Sequence, residues 1–102
     1  MADFLKIMQQ AQEMQSRLQG ELEATTVVGS AGGGMVTVEA DGKGTVKKVR
    51  IDPSVVSPSD VEMLEDLVAV AVGDAQRKAG DAARTQMQKL MGGLPLPFKL
   101  PF

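Results

Sequence analysis

Val49-Arg50-Ile51-Asp52-Pro53, then Ser57-Pro58-Ser59-Asp60-Val61-Glu62 and an unbroken run to Met91, is the stretch on which the fold turns. Apolar Val49 and Ile51 alternate with Arg50 and close a strand at Asp52-Pro53. Ser57 with Pro58 behind it reads as a helix cap with proline at the first helical position, and Ser59 with Glu62 offers a second capping-box register. No proline follows Pro58 until Pro95. A helix from 58 to 91 would be roughly 50 Å long. A compact domain of this size has a radius of gyration of about 13 Å, hence a diameter of roughly 33 Å. The helix must therefore break near Gly73 or Gly80, or project as an arm; we expect the arm.

The two halves of this helix differ in chemistry. Val61, Met63, Leu64, Leu67, Val68, Val70, Ala71 and Val72 surround most of the first half, the pattern of a helix buried on nearly all sides. Its polar strip, Asp60, Glu62, Glu65 and Asp66, is acidic and complements a helix N-terminus. The second half offers only Ala75, Ala79, Ala82, Ala83 and Met87 as an apolar set, and its charges, Asp74, Arg77, Lys78, Asp81, Arg84 and Lys89, favour the positive sign. Ala75, Ala79 and Ala82 are small enough to let another backbone approach closely.

Upstream, residues 3–23 read as a first helix. Phe4, Ile7, Ala11, Met14 and Leu18 form a heptad seam, and Gln9, Gln10, Gln12, Glu13, Gln15, Ser16, Arg17 and Gln19 form the polar face. The polar face is rich in glutamine rather than in basic residues, which argues against a membrane-surface helix. Three strands follow. Residues 25–28 favour strand and end at Gly29, and Gly32-Gly33-Gly34 reads as a flexible connection. Residues 35–40 alternate, Asp41-Gly42 signals a hairpin, and residues 45–51 return with Val49 and Ile51 inward. Lys47 breaks that alternation. The expected architecture is α+β: an α-β-β-β-α protomer with an antiparallel three-stranded sheet and two long helices as arms. Residues 1–91 form one domain, and 92–102, with three prolines among apolar residues, form a tail that is either a disordered end or a segment docking on a neighbour.

Composition narrows the function. The 102 residues hold no His and no Cys, which removes the usual general base and the usual thiolate and imidazole metal ligands. Gly42-Lys43-Gly44-Thr45 resembles the end of a phosphate-binding loop, but Thr37 replaces the first glycine and no helix follows. We expect no enzyme, no cofactor, no metal and no small-molecule substrate. No apolar run approaches the ~20 residues of a membrane span, and Met-Ala-Asp-Phe does not begin a signal peptide, so a cytoplasmic location is expected. A net charge of −2 confines any polyanion binding to a local patch.

Val49-Arg50-Ile51-Asp52-Pro53, Glu62-Met63-Leu64-Glu65-Asp66-Leu67-Val68 and Asp74-Ala75 together resemble the signature of the YbaB/EbfC family of bacterial nucleoid-associated proteins. The Gln/Met-rich first helix, the glycine-rich loop and the 95–102 tail are similar as well. This chain has Gly73 where many members have Asn. The resemblance implies an intertwined homodimer with tweezer-like helices that binds double-stranded DNA in the nucleoid and acts on its organisation or on gene expression. On this chain the expected DNA contacts are Lys6 and Arg17 on the first helix and Arg77, Lys78, Arg84 and Lys89 on the second. A rival patch is Lys43, Lys47, Lys48 and Arg50. The expected dimer interface is Val49, Ile51, Leu64, Leu67, Val68 and Ala71. The competing reading is a protein-interaction or chaperone-like dimer with no direct DNA role, which the pI of about 5.0 favours.

Overall fold

In a computed structural model, which describes residues 2–91, the chain is a three-stranded antiparallel sheet with one helix across its inner face and a second leaving its rim. Helix α1 spans Ala2–Ala24, strands β1, β2 and β3 span Thr26–Ala31, Val36–Asp41 and Val46–Ile51, and helix α2 spans Val61–Met91. The strand order is β1-β2-β3. The tail expected at 92–102 lies outside the described residues.

Helix α2 is continuous through Gly73 and Gly80, as the arm reading requires. The radius of gyration is 19.0 Å and the principal extents are 67 × 26 × 16 Å, far from the roughly 13 Å radius of a compact domain. The helix begins later than expected. Ser57 accepts the N–H of Asp60 on its carbonyl at 3.0 Å and shares a 2.8 Å hydrogen bond with the Ser59 hydroxyl, so 57–60 closes as a turn. Asp60 then caps α2, its Oδ1 accepting from Met63 N at 3.3 Å. A short turn at Pro53–Val55, capped by the Asp52 carboxylate on Ser54 N, buries Val55 beneath the sheet end.

Strand β1 does not stop at Gly29 but runs through it to Ala31, pairing Gly29 with Val38 and Ala31 with Val36. The glycine is there for packing. A Cβ on Gly29 would lie 2.3 Å from Ala75 N and 2.4 Å from Ala71 O, so the backbones of β1 and α2 touch. Ala71, Ala75 and Ala79 are fully buried at this crossing. The alanine row thus closes the protomer's own core rather than a seam left open to a partner. Val36, Val38 and Ala40 complete the core from β2, with Leu64, Leu67, Val68 and Val72 packed against it. The following glycines, Gly32, Gly33 and Gly34, all take positive φ (63°, 68° and 94°), forming a defined left-handed turn rather than a loose connection.

Lys47 is the extra residue of a bulge: Glu39 pairs with Lys48 and Ala40 with Val46. The bulge puts Val46 on the same face as Val49 and Ile51, the face of buried Val38 and Val36. Val49 and Ile51 nevertheless remain 41% and 38% exposed, because α2 covers β1 and β2 and stops short of β3. Their inward direction is right, but the protomer supplies no lid.

Candidate nucleic-acid interface

The site is built on the two helices where they leave the sheet. Helix α1 is tied to the sheet at its C-terminal end. Leu22 O accepts from Gly42 N at 2.8 Å, and Glu23 pairs with Lys43 at 3.2 Å. Beyond that anchor α1 runs antiparallel to the distal half of α2: Leu22 sits opposite Ala79 and Ala83, and Met14 and Leu18 opposite Met87 and Leu90. Every described side chain from Asp3 to Arg17 is exposed. The seam expected to pack along α2 does so only in its C-terminal half.

Helix α2 is fixed at the outer edge of β1 by side chains of its middle turns. Asp74 Oδ2 accepts from Ser30 N at 3.1 Å, and Lys78 Nζ donates to Val28 O at 2.9 Å. These are the outward-facing backbone groups of an edge strand, so the pair also closes that edge to further strand pairing. The Asp74 carboxylate also pairs with Arg77 at 2.8 Å and with Lys78 at 3.3 Å. The Ser30 N–H, then Arg77 and Lys78, hold its pKa down to about 2 against a smaller opposing effect of desolvation.

This arrangement sorts the expected DNA residues into two groups. Arg77 lies between Asp74 and Asp81, Lys78 is engaged with Asp74 and Val28, and Arg84 pairs with Asp81. Lys6, Arg17 and Lys89 form no ion pair among the described residues. In the rival patch, Lys43 pairs with Glu23 and Lys47 with Asp41 at 3.7 Å, while Lys48 and Arg50, on the outer face of β3, form no ion pair among the described residues. The Gly42-Lys43-Gly44-Thr45 segment is the β2–β3 hairpin turn. Its Lys43 and Thr45 amides, the donors a phosphate would need, point at the Asp41 carboxylate at 2.9 and 3.0 Å. Burial raises the Asp41 pKa, but those two N–H groups and the Lys47 and Lys43 charges outweigh it and leave the group below its ordinary value.

Of the expected dimer residues, Val49 and Ile51 are open, Leu64, Leu67 and Val68 are half-buried, and Ala71 is already enclosed by β1. Leu64, Val68 and Val72 pack against the core formed by β1, β2 and the buried alanines of α2. The Asp74–Ser30 bond was not foreseen; its only trace in the sequence was the Asp74-Ala75 pair, downstream of a strand carrying a lone glycine.

The sequence model of the YbaB/EbfC DNA-binding family matches residues 1–94. The chain belongs to this family. Among YbaB/EbfC relatives, it is 50% identical over 103 residues to a nucleoid-associated protein of Gemmatimonas aurantiaca, covering 98% of this chain and 99% of that one. It is 51% identical over 107 residues to a nucleoid-associated protein of Paramagnetospirillum magneticum, over the full length of both. The YbaB/EbfC fold of this chain is similar to the crystal structure of an uncharacterized protein from Helicobacter pylori, with a TM-score of 0.76 and 21% identity over 90% of this chain and 97% of that chain.

Proposed function

We propose that the protein acts in the nucleoid as a homodimer that holds duplex DNA along its helical arms. The observation that carries this reading is the combination of a 67 Å long particle with cations on its projecting helices, Lys6, Arg17 and Lys89, that form no ion pair among the described residues. These contact phosphate first, and Arg77, Lys78 and Arg84 join by exchanging Asp74 and Asp81 for phosphate oxygens. Arginine suits that exchange because its guanidinium grips phosphate through two parallel hydrogen bonds. Gln9, Gln12 and Gln15 on α1 add neutral hydrogen bonds. Such contacts position a duplex without selecting a sequence. Family membership and the names of the relatives support the nucleoid role, which lies in the cytoplasm; among the described residues no helix is long and apolar enough to cross a membrane. Through its grip on DNA the dimer organises the nucleoid and modulates expression of the genes it covers. The chemistry is binding, not catalysis.

The dimer forms on the uncovered side of the sheet. The exposed Val46, Val49 and Ile51 of β3, together with the half-buried Leu64, Leu67 and Val68 of α2, supply the apolar surface that a second copy covers. A mobility-shift titration with duplex DNA at several salt concentrations tests the function. With about four phosphates neutralised, log K should fall against log salt with a slope near −3.6. No shift at low salt would reject the reading. It would favour the protein-interaction alternative, which rests on the engagement of Arg77 and Arg84 with their own aspartates.

A further inference from the structure

The sheet has a face that α2 does not cover. Helix α2 packs on the side of Val36, Val38 and Ala40, and its unbroken distal half carries the arm onward from that layer. The opposite side presents Ser30, Thr37 and Arg50 in one row across the three strands, and Val28, Glu39 and Lys48 in the next. Lys48 and Arg50 are exposed and form no ion pair among the described residues. Two positions apart on one strand, they point the same way and stand roughly 7 Å from each other. The carboxylate of these two rows is Glu39, half-buried opposite Lys48.

We infer that this outer face is a second phosphate-binding surface, which takes a second DNA duplex while the arms hold the first. One particle then bridges two duplexes. The inference rests on the DNA-binding reading of the arms. Two features support it. The first is separation. Leu22 meets the β2–β3 hairpin at Gly42, and Lys6 lies roughly 24 Å of helix beyond Leu22 along α1. Arg50 lies on the strand that leaves that hairpin, about 14 Å past Val46. It also faces the side of the sheet opposite to α2. The second feature is chemistry. Arg50 can grip a phosphate through two hydrogen bonds, Lys48 supplies a point charge, and the Thr37 and Ser30 hydroxyls beside Arg50 are phosphate donors. With two cations, the salt slope of this contact is only about −1.8, so it is the weaker of the two grips.

A bridging assay tests this with the full-length protein. One biotinylated duplex is fixed to beads and a second, labelled duplex is offered at low salt. The natural chain should retain the labelled duplex. Lys48→Glu with Arg50→Glu should cut that retention on the order of tenfold, while the mobility shift of a single duplex weakens by less than about threefold. Lys48→Ala with Arg50→Ala should act in the same direction without setting a like charge opposite Glu39. Retention unchanged in both variants would overturn the inference and assign bridging to the arms alone. An equal loss of shift and retention would also overturn it, because one duplex would then span both surfaces. A natural chain that shifts one duplex but retains no second rejects bridging alone. Absence of any shift rejects the reading beneath it.

Discussion

Asp74 of α2 accepts the backbone N–H of Ser30 at 3.1 Å, across 44 positions of sequence. One turn further on, Lys78 donates to the carbonyl of Val28. Between these polar anchors the helix backbone rests on Gly29 through Ala71 and Ala75. The crossing therefore sets where α2 leaves the sheet, and with it where the arm points.

Gly29 and Gly80 should respond oppositely to alanine. Gly29→Ala forces a Cβ into backbone atoms of Ala71 and Ala75, which cannot move aside as a side-chain tip could. The overpacking should destabilise by about 3 kcal/mol. Gly80 has nothing within 4 Å of its would-be Cβ and sits mid-helix, so Gly80→Ala should stabilise by up to about 1 kcal/mol. Urea unfolding of the two variants reads both signs.

Acid should weaken the crossing. The Asp74 pKa is lowered from 3.8 to about 2 on folding, so its contribution is complete above pH 3.8 and disappears as pH falls through about 2. Asp52, held below its ordinary value by the Ser54 N–H and hydroxyl, and Asp41 act in the same direction. Thermal melts across this window should show a shallower pH dependence for Asp74→Asn than for the natural chain, together with a Tm several degrees lower at neutral pH.

Charge reversal separates the two cationic patches. Lys6→Glu with Arg17→Glu and Lys89→Glu should abolish the duplex shift at moderate salt and leave Tm nearly unchanged, since none of the three is ion-paired among the described residues. Lys48→Glu with Arg50→Glu should weaken binding far less. If the β3 pair has the larger effect, DNA lies on the outer face of the sheet instead.

Val49→Asp places a carboxylate on the exposed apolar face of β3 without entering the protomer core, because Val49 is already two-fifths exposed. Sedimentation at micromolar concentration should turn from dimer to elongated monomer, with the circular dichroism of the helices retained. A dimer that persists would move the interface away from β3.

The chain's local chemistry determined its element order. The alternation of 35–40, the Asp41-Gly42 hairpin and the proline-free run after Pro58 each rest on interactions between residues close in sequence, and each appears in the fold. Even the bulge was announced by Lys47 breaking the alternation. The length of α2 against the size of a compact domain required either a break near Gly73 or Gly80 or an arm, and the helix runs unbroken through both. What only the tertiary structure decided are contacts between distant positions: β1 running through Gly29, the alanine row spent inside the protomer, and the Asp74 and Lys78 anchors on the strand edge. The pairing of Arg77 with Asp74 and Asp81, and of Arg84 with Asp81, is by contrast local, three or four positions apart along one helix. Local periodicity reports the face on which a side chain lies, whereas what meets that face depends on where the rest of the chain is brought in space.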